Sequence, residues 1–121
     1  MTSAPPAAAD HRQEPRHPVT WPGRLTLEDG AVLEVRVRDI SAGGVGLRVD
    51  RPLPVNRVLP LVLGVPDPDD PTHILAVPVQ VRGAYLVLQG HDFRFGGPWV
   101  GLQGPAQRLV LGWVERLAAR G

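Results

Sequence analysis

The sequence predicts an all-β fold, a small antiparallel barrel followed by one C-terminal helix. Three observations carry this expectation. Apolar and polar residues alternate with period two from Val19 onward. Several short apolar runs are divided by turn-forming residues at regular intervals, the pattern of a small antiparallel barrel. Helical spacing is confined to the end, over about 105–118.

The elements follow in order. Residues 1–10 are small and Pro-rich and read as a disordered lead, and 11–18 as an extended arm stiffened by Pro15 and Pro18. Val19, Trp21, Gly23, Leu25 and Leu27 then share one face of a strand, with Thr20, Arg24, Thr26 and Glu28 on the other. Asp29-Gly30 signals a hairpin. The return strand places Leu33, Val35 and Val37 inward and Glu34, Arg36 and Arg38 outward. A loop at Asp39–Gly44 precedes a third strand marked by Val45, Leu47 and Val49. Further apolar stretches lie near 57–64, 74–82 and 84–95, with a Pro- and Asp-rich loop at 66–72. Gly104-Pro105 opens the helix, because proline is tolerated at a first helical position. Leu109, Val110, Trp113, Val114 and Leu117 recur at helical spacing. Gly112 costs this helix roughly 1 kcal/mol relative to alanine, so it depends on packing against the barrel.

Composition narrows the function. A chain of 121 residues supports one core. A net charge of +1 argues against a duplex-DNA-binding protein, which presents a strongly basic face. Lysine is absent, so every basic side chain is arginine, as GC-rich coding also produces. There are no cysteines, which excludes disulfides and thiolate metal sites. The first ten residues lack the basic and apolar regions of a signal peptide, and no later run has the length of a membrane span. The expectation is a cytoplasmic protein with no membrane insertion.

Two short motifs carry the chemistry. Arg12 and Arg16 form R-x-x-x-R just before the first strand, and Asp39-Ile40-Ser41-Ala42-Gly43-Gly44 forms D-x-S-x-x-G just after the second. Guanidinium forks match phosphate oxygens bidentately and stack on bases. A carboxylate accepts hydrogen bonds from the N–H edge of guanine, and glycine lets backbone approach a ligand closely. Each motif alone is unspecific. Thirteen arginines make a spacing of four ordinary, and Asp-x-Ser is a common turn. Their order and separation in an all-β chain of this length make the pair specific.

On these motifs, and on the strand pattern between and after them, the chain resembles the PilZ domain, the bacterial receptor module for cyclic di-GMP. The likeness extends from about Arg12 to Leu117. It implies a six-stranded antiparallel β-barrel with a C-terminal helix, in a single domain over 11–118. It implies that Arg12 and Arg16 contact phosphates and stack on or hydrogen-bond guanine, while Asp39, Ser41 and Gly44 line the nucleotide pocket. Arg36 and Arg38 face outward on the strand feeding the loop and read as electrostatic helpers, and Gly43 as an extra glycine easing the turn. The register of the last strands stays open. Either Gly90-His91-Asp92-Phe93 or Val100-Gly101-Leu102-Gln103 takes the place of the Gly-x-x-Phe strand ending that often precedes the family's helix.

Other groups read as structural. His11 and His17 flank the arm at a spacing that is not a recurring ligand pattern, and His73 and His91 are isolated, so no metal site is expected. Asp67, Asp69 and Asp70 alternate with prolines and lack EF-hand spacing, as in a solvated loop. Trp21 and Trp113 fall on apolar faces, and Trp99 is either core or part of a partner surface. No nucleophile–base arrangement and no phosphate-binding glycine loop stands out, so the chain is read as no enzyme and as needing no cofactor beyond the ligand itself. Two functions remain. One is a cyclic di-GMP receptor that relays the signal to a downstream protein by ordering its arm; the other is a ligand-independent adaptor. A single-stranded nucleic-acid binder would need a row of exposed aromatics, and 5% aromatic content supplies few.

Overall fold

A computed structural model describes residues 14–120. The lead 1–10 and Arg12 lie outside the described residues. Seven strands precede one helix: β1 (His17–Thr26), β2 (Val32–Ile40), β3 (Gly44–Val49), β4 (Val58–Pro66), β5 (Ile74–Arg82), β6 (Tyr85–Gln89), β7 (Asp92–Pro98) and α1 (Gly104–Arg120). The strands form one antiparallel sheet in the order β5-β4-β1-β2-β3-β7-β6.

Alternation builds this sheet as expected. Trp21, Leu25, Leu33, Val35, Val37, Val45, Leu47 and Val49 turn into the core, joined by Leu59, Leu61, Leu63, Val65, Val77, Val79, Val81 and Phe95 from the later strands. Burying each such side chain contributes about 1.5–3 kcal/mol relative to leaving it in water. The hairpin at Asp29-Gly30 is wider than a two-residue turn. Leu27 and Ala31 close it by a backbone bond at 2.8 Å, and Gly30 (φ 89°) follows Glu28-Asp29 as the third loop residue. In the loop after β4, Asp67 and Asp70 accept hydrogen bonds from the Asp69 amide and the Thr72 hydroxyl.

The strand count corrects the six-stranded barrel. The stretch 84–95 is a hairpin, turning at Gly90-His91, so that β6 pairs β7 from Tyr85↔Gly96 to Gln89↔Asp92. A strand has two edges, and those of β7 are taken by β3 and β6. None remains along Asp92–Gly96 for β5, and the sheet is not closed. Beyond the reach of β6 the chain does meet β5, through a Val81↔Trp99 bridge and a Val100 N–H bond to the Gln80 carbonyl at 2.9 Å.

The C-terminal helix covers the core from one side. Val110 and Trp113 are buried, with Leu109, Val114 and Leu117 half-buried. Trp113 stands edge-on to Trp21 at a centroid distance of 6.0 Å, and its indole N–H donates to the Pro66 carbonyl at 2.9 Å. An aromatic pair in this geometry adds about 0.5–1.5 kcal/mol beyond area burial. No helix among the described residues is long and apolar enough to cross a membrane.

Candidate functional site

The site is built by a bulge at the end of β2. Strict alternation after Leu33, Val35 and Val37 would drive Asp39 into the apolar core. Instead Val37 pairs with Leu47 and Asp39 with Gly46, so Arg38 and Asp39 together oppose one residue of β3. The extra residue reverses the phase. Ile40 turns inward and is fully buried, while Asp39 stands on the face away from the core beside Gly46.

Register extends this into a row across four strands: Asp39, Gly46, Gly96 and Tyr85. The two glycines form a floor on which larger residues do not fit. A Cβ at Gly46 would lie 2.7 Å from Asp39 Oδ1, and one at Gly96 would overlap the Val45 carbonyl and crowd the Tyr85 hydroxyl. Arg16 lies above the row. Its guanidinium donates to Asp39 Oδ1 at 2.8 Å, and its central carbon is 6.0 Å from the centre of the Tyr85 ring. That is within the range of a cation–π contact. Arg94, on β7, donates to Asp39 Oδ2 at 3.3 Å. A carboxylate this buried requires such pairing.

Burial alone would lower the Arg16 pKa, but the hydrogen bond it donates to Asp39 and the charges of Tyr85, Asp39 and Glu14 outweigh it, and the net shift is upward. Burial pushes the Tyr85 phenol up, with Asp39 adding to the effect and Arg16 and Arg94 opposing it. The Tyr85 hydroxyl is buried without a hydrogen-bond partner among the described residues. Beside it opens a depression of about 320 Å³, lined by Arg16, Tyr85, Val87, Leu88, Gln89 and Arg94. Two guanidinium forks, a ring face and an apolar wall suit a flat, anionic ligand.

The D-x-S-x-x-G loop is a tight turn next to this row. The Ser41 amide donates to the Gly44 carbonyl at 2.9 Å, and the Gly44 amide donates back to Ser41 Oγ at 3.1 Å. Trp99 braces the loop, donating its amide to the Gly43 carbonyl at 3.0 Å and its indole N–H to the Ser41 carbonyl at 3.2 Å. Trp99 is thus half-buried and serves the site, between the two readings left open for it.

The structure brings Arg16, Asp39, Ser41, Gly43 and Gly44 together, 23 positions separating Arg16 from Asp39. Arg36 and Arg38 are exposed; Arg36 pairs in register with Arg48, which pairs with Arg94, in a basic row beside the site. Sequence reasoning passed over Glu14, Gly46, Tyr85, Arg94 and Gly96. Glu14 accepts hydrogen bonds from the Ser41 hydroxyl at 2.9 Å and the Gly43 amide at 3.0 Å. The arm, which the relay reading expects to become ordered on binding, is already tied to the sheet at residues 14–16 by polar contacts rather than apolar burial. Its position inside R-x-x-x-R was the one available signal for Glu14. Among the described residues, no three His, Asp or Glu side chains gather to hold a metal ion.

Comparison with known proteins agrees with this fold. The family model described as the PilZ domain matches residues 10–113. Over 28 residues, 23% of this chain and 12% of the relative, the sequence is 64% identical to the flagellar brake protein YcgR of Serratia proteamaculans (strain 568). The inhibitor of motility MotI/DgrA of Bacillus subtilis superposes with a TM-score of 0.74 at 15% identity, over 90% of this chain and 51% of that one. The PilZ domain of Escherichia coli YcgR, solved with c-di-GMP, gives a TM-score of 0.63 at 15% identity, over 90% and 92% of the two chains. At such identities the superpositions establish the shared fold, and this chain spans about half of the motility inhibitor and 12% of the flagellar brake protein of Serratia. With its family model matched over most of its length, the chain belongs to the PilZ domain family.

Proposed function

We propose that this chain is a cyclic di-GMP receptor, in which Arg12 and Arg16 grip the phosphates and guanine while Asp39, Ser41 and Gly44 hold the base from the sheet side. The observation that carries the reading is Arg16 stretched between Asp39 and the Tyr85 ring, over a floor of two glycines. There a fork, an acceptor for guanine N–H groups and a stacking surface converge at one open depression. Arg94 joins them as a second cation. The neighbouring structure solved with c-di-GMP supports the same ligand class. Binding would reorganise the arm, and the surface so formed would be read by a downstream protein in the cytoplasm. The groups in the site are binding groups, and the chain acts as an effector rather than an enzyme.

A second reading rests on one observation. Asp39, Ser41 and Arg16 all have partners within the chain, as they would in a ligand-independent adaptor. Calorimetric titration of the purified protein separates the two. Cyclic di-GMP should bind with a defined stoichiometry of one or two nucleotides, and cyclic di-AMP, which lacks the donor edge read by Asp39, should bind poorly. Absence of heat with both ligands would favour the adaptor, and equal affinities would remove the guanine pocket.

A further inference from the structure

In the free protein the loop's outward donors are already occupied. The Ser41 hydroxyl and the Gly43 amide both converge on one atom, Glu14 Oε1, at 2.9 and 3.0 Å. Two donors aimed at a single anionic oxygen make a seat for an oxyanion, and here the chain's own carboxylate sits in it. Gly43 is what admits it. A Cβ at that position would lie 2.5 Å from Glu14 Oε1, so the second glycine of the loop, outside the D-x-S-x-x-G pattern, has a steric reason to be there. Two residues along the arm, Arg16 is bound to Asp39. The free site is therefore closed on itself, with the arm's anion on the loop's donors and its cation on the loop's acid.

A ligand bearing phosphodiester groups meets this arrangement in two ways. Its acceptor atoms need the donors that Glu14 holds, and a carboxylate left beside its phosphates repels them in a partly buried setting. We propose that Glu14 is a built-in competitor of the ligand, seated on Ser41 and Gly43 in the free protein and displaced when an anionic ligand binds. Its seat sets the apparent affinity, and its displacement releases residues 14–16 from the loop. The observed dissociation constant is the intrinsic one divided by the fraction of molecules in which the seat is open. This rests on the receptor reading above, and the test keeps the two apart.

Cyclic di-GMP is titrated calorimetrically into wild-type protein, Glu14→Ala and Glu14→Gln. A seat open in a tenth of molecules predicts that Glu14→Ala binds about tenfold more tightly. Glu14→Gln keeps the chain length and one acceptor oxygen but not the charge, so it should fall between alanine and wild type. Amide exchange at Gly43 in the unliganded proteins supplies the second readout: slowed in wild type, fast in Glu14→Ala. Wild-type binding with Glu14→Ala equal or weaker would overturn the proposal and leave the receptor intact, with Glu14 reduced to a brace. Failure of all three proteins to bind would overturn the receptor reading and the competitor with it. Binding by the variants where wild type binds barely would be the strongest support.

Discussion

Arg94, 55 positions beyond Asp39, reaches the second oxygen of the carboxylate whose first oxygen Arg16 holds. One arginine comes from the arm before the sheet and the other from β7, so the carboxylate is clamped between two parts of the chain that only the fold brings together. Both guanidinium groups are part-exposed and line the same depression.

The two arginines should therefore differ in effect. Arg16→Ala is expected to reduce cyclic di-GMP binding to the detection limit while leaving the sheet folded, since none of the arm's described residues, 14–18, belongs to the core. Arg94→Ala should weaken binding roughly ten- to hundredfold, the loss of a charge-assisted hydrogen bond of about 1.5–3 kcal/mol. Arg16→Lys should fail too, because a point charge reproduces neither the fork nor the stacking plane. Titration calorimetry alongside circular dichroism measures each, and wild-type affinity in Arg16→Ala would refute the site assignment.

Gly46→Ala should damage the site more than the fold. The new methyl would stand 2.7 Å from Asp39 Oδ1 and push the carboxylate off the grip of Arg16 and Arg94. Alanine is no worse than glycine in a strand, where glycine itself costs roughly 0.5–1 kcal/mol. The expected result is a native circular dichroism spectrum with cyclic di-GMP affinity reduced at least as much as in Arg94→Ala. Unchanged affinity would mean that the position of Asp39 is immaterial.

Tyr85 governs the alkaline limb of stability. Burial raises its pKa, so the folded protein holds the phenolic proton more tightly than the unfolded chain does. The associated stability is complete below the unfolded value of about 10 and is lost as pH climbs through the folded one. The chain has one tyrosine, no lysine and no cysteine, and arginine stays protonated, so this limb isolates a single group. Urea unfolding at a series of alkaline pH values should show wild type losing stability that Tyr85→Phe retains. At neutral pH the phenylalanine variant should be more stable by about 1 kcal/mol, having no unpartnered buried hydroxyl. An identical alkaline slope in both proteins would contradict the shift.

Gly112→Ala should stabilise the helix. A Cβ there meets nothing within 4 Å beyond the helix itself, so alanine adds about 1 kcal/mol of helix propensity without a clash. A rise in Tm of about 4 °C is expected by differential scanning calorimetry. A lowered Tm would show that the helix needs the freedom of glycine at this turn.

The sequence by itself determined the strands that alternate. Val19 to Leu27 and Leu33 to Val37 could pack only one way, because a shift of one residue would turn every apolar side chain to water. It determined the C-terminal helix from the recurrence of Leu109, Val110, Trp113 and Leu117, and it marked the Asp39–Gly44 loop by its turn-forming residues. What it did not carry was the extra residue at Arg38–Asp39. Alternation read literally points Asp39 into the core, and only pairing with Gly46 shows the bulge that turns it out. For the same reason Gly46, Tyr85, Arg94 and Gly96 were invisible as a group. They are spread over three strands, and their neighbourhood is set by hydrogen-bond register, a property of strand pairs rather than of any stretch of chain. The seventh strand was hidden likewise, since the apolar run 84–95 is equally compatible with one long strand or a folded-back pair. Pairing with β7 decides between them, and by taking the free edge of β7 it also decides that the sheet stays open.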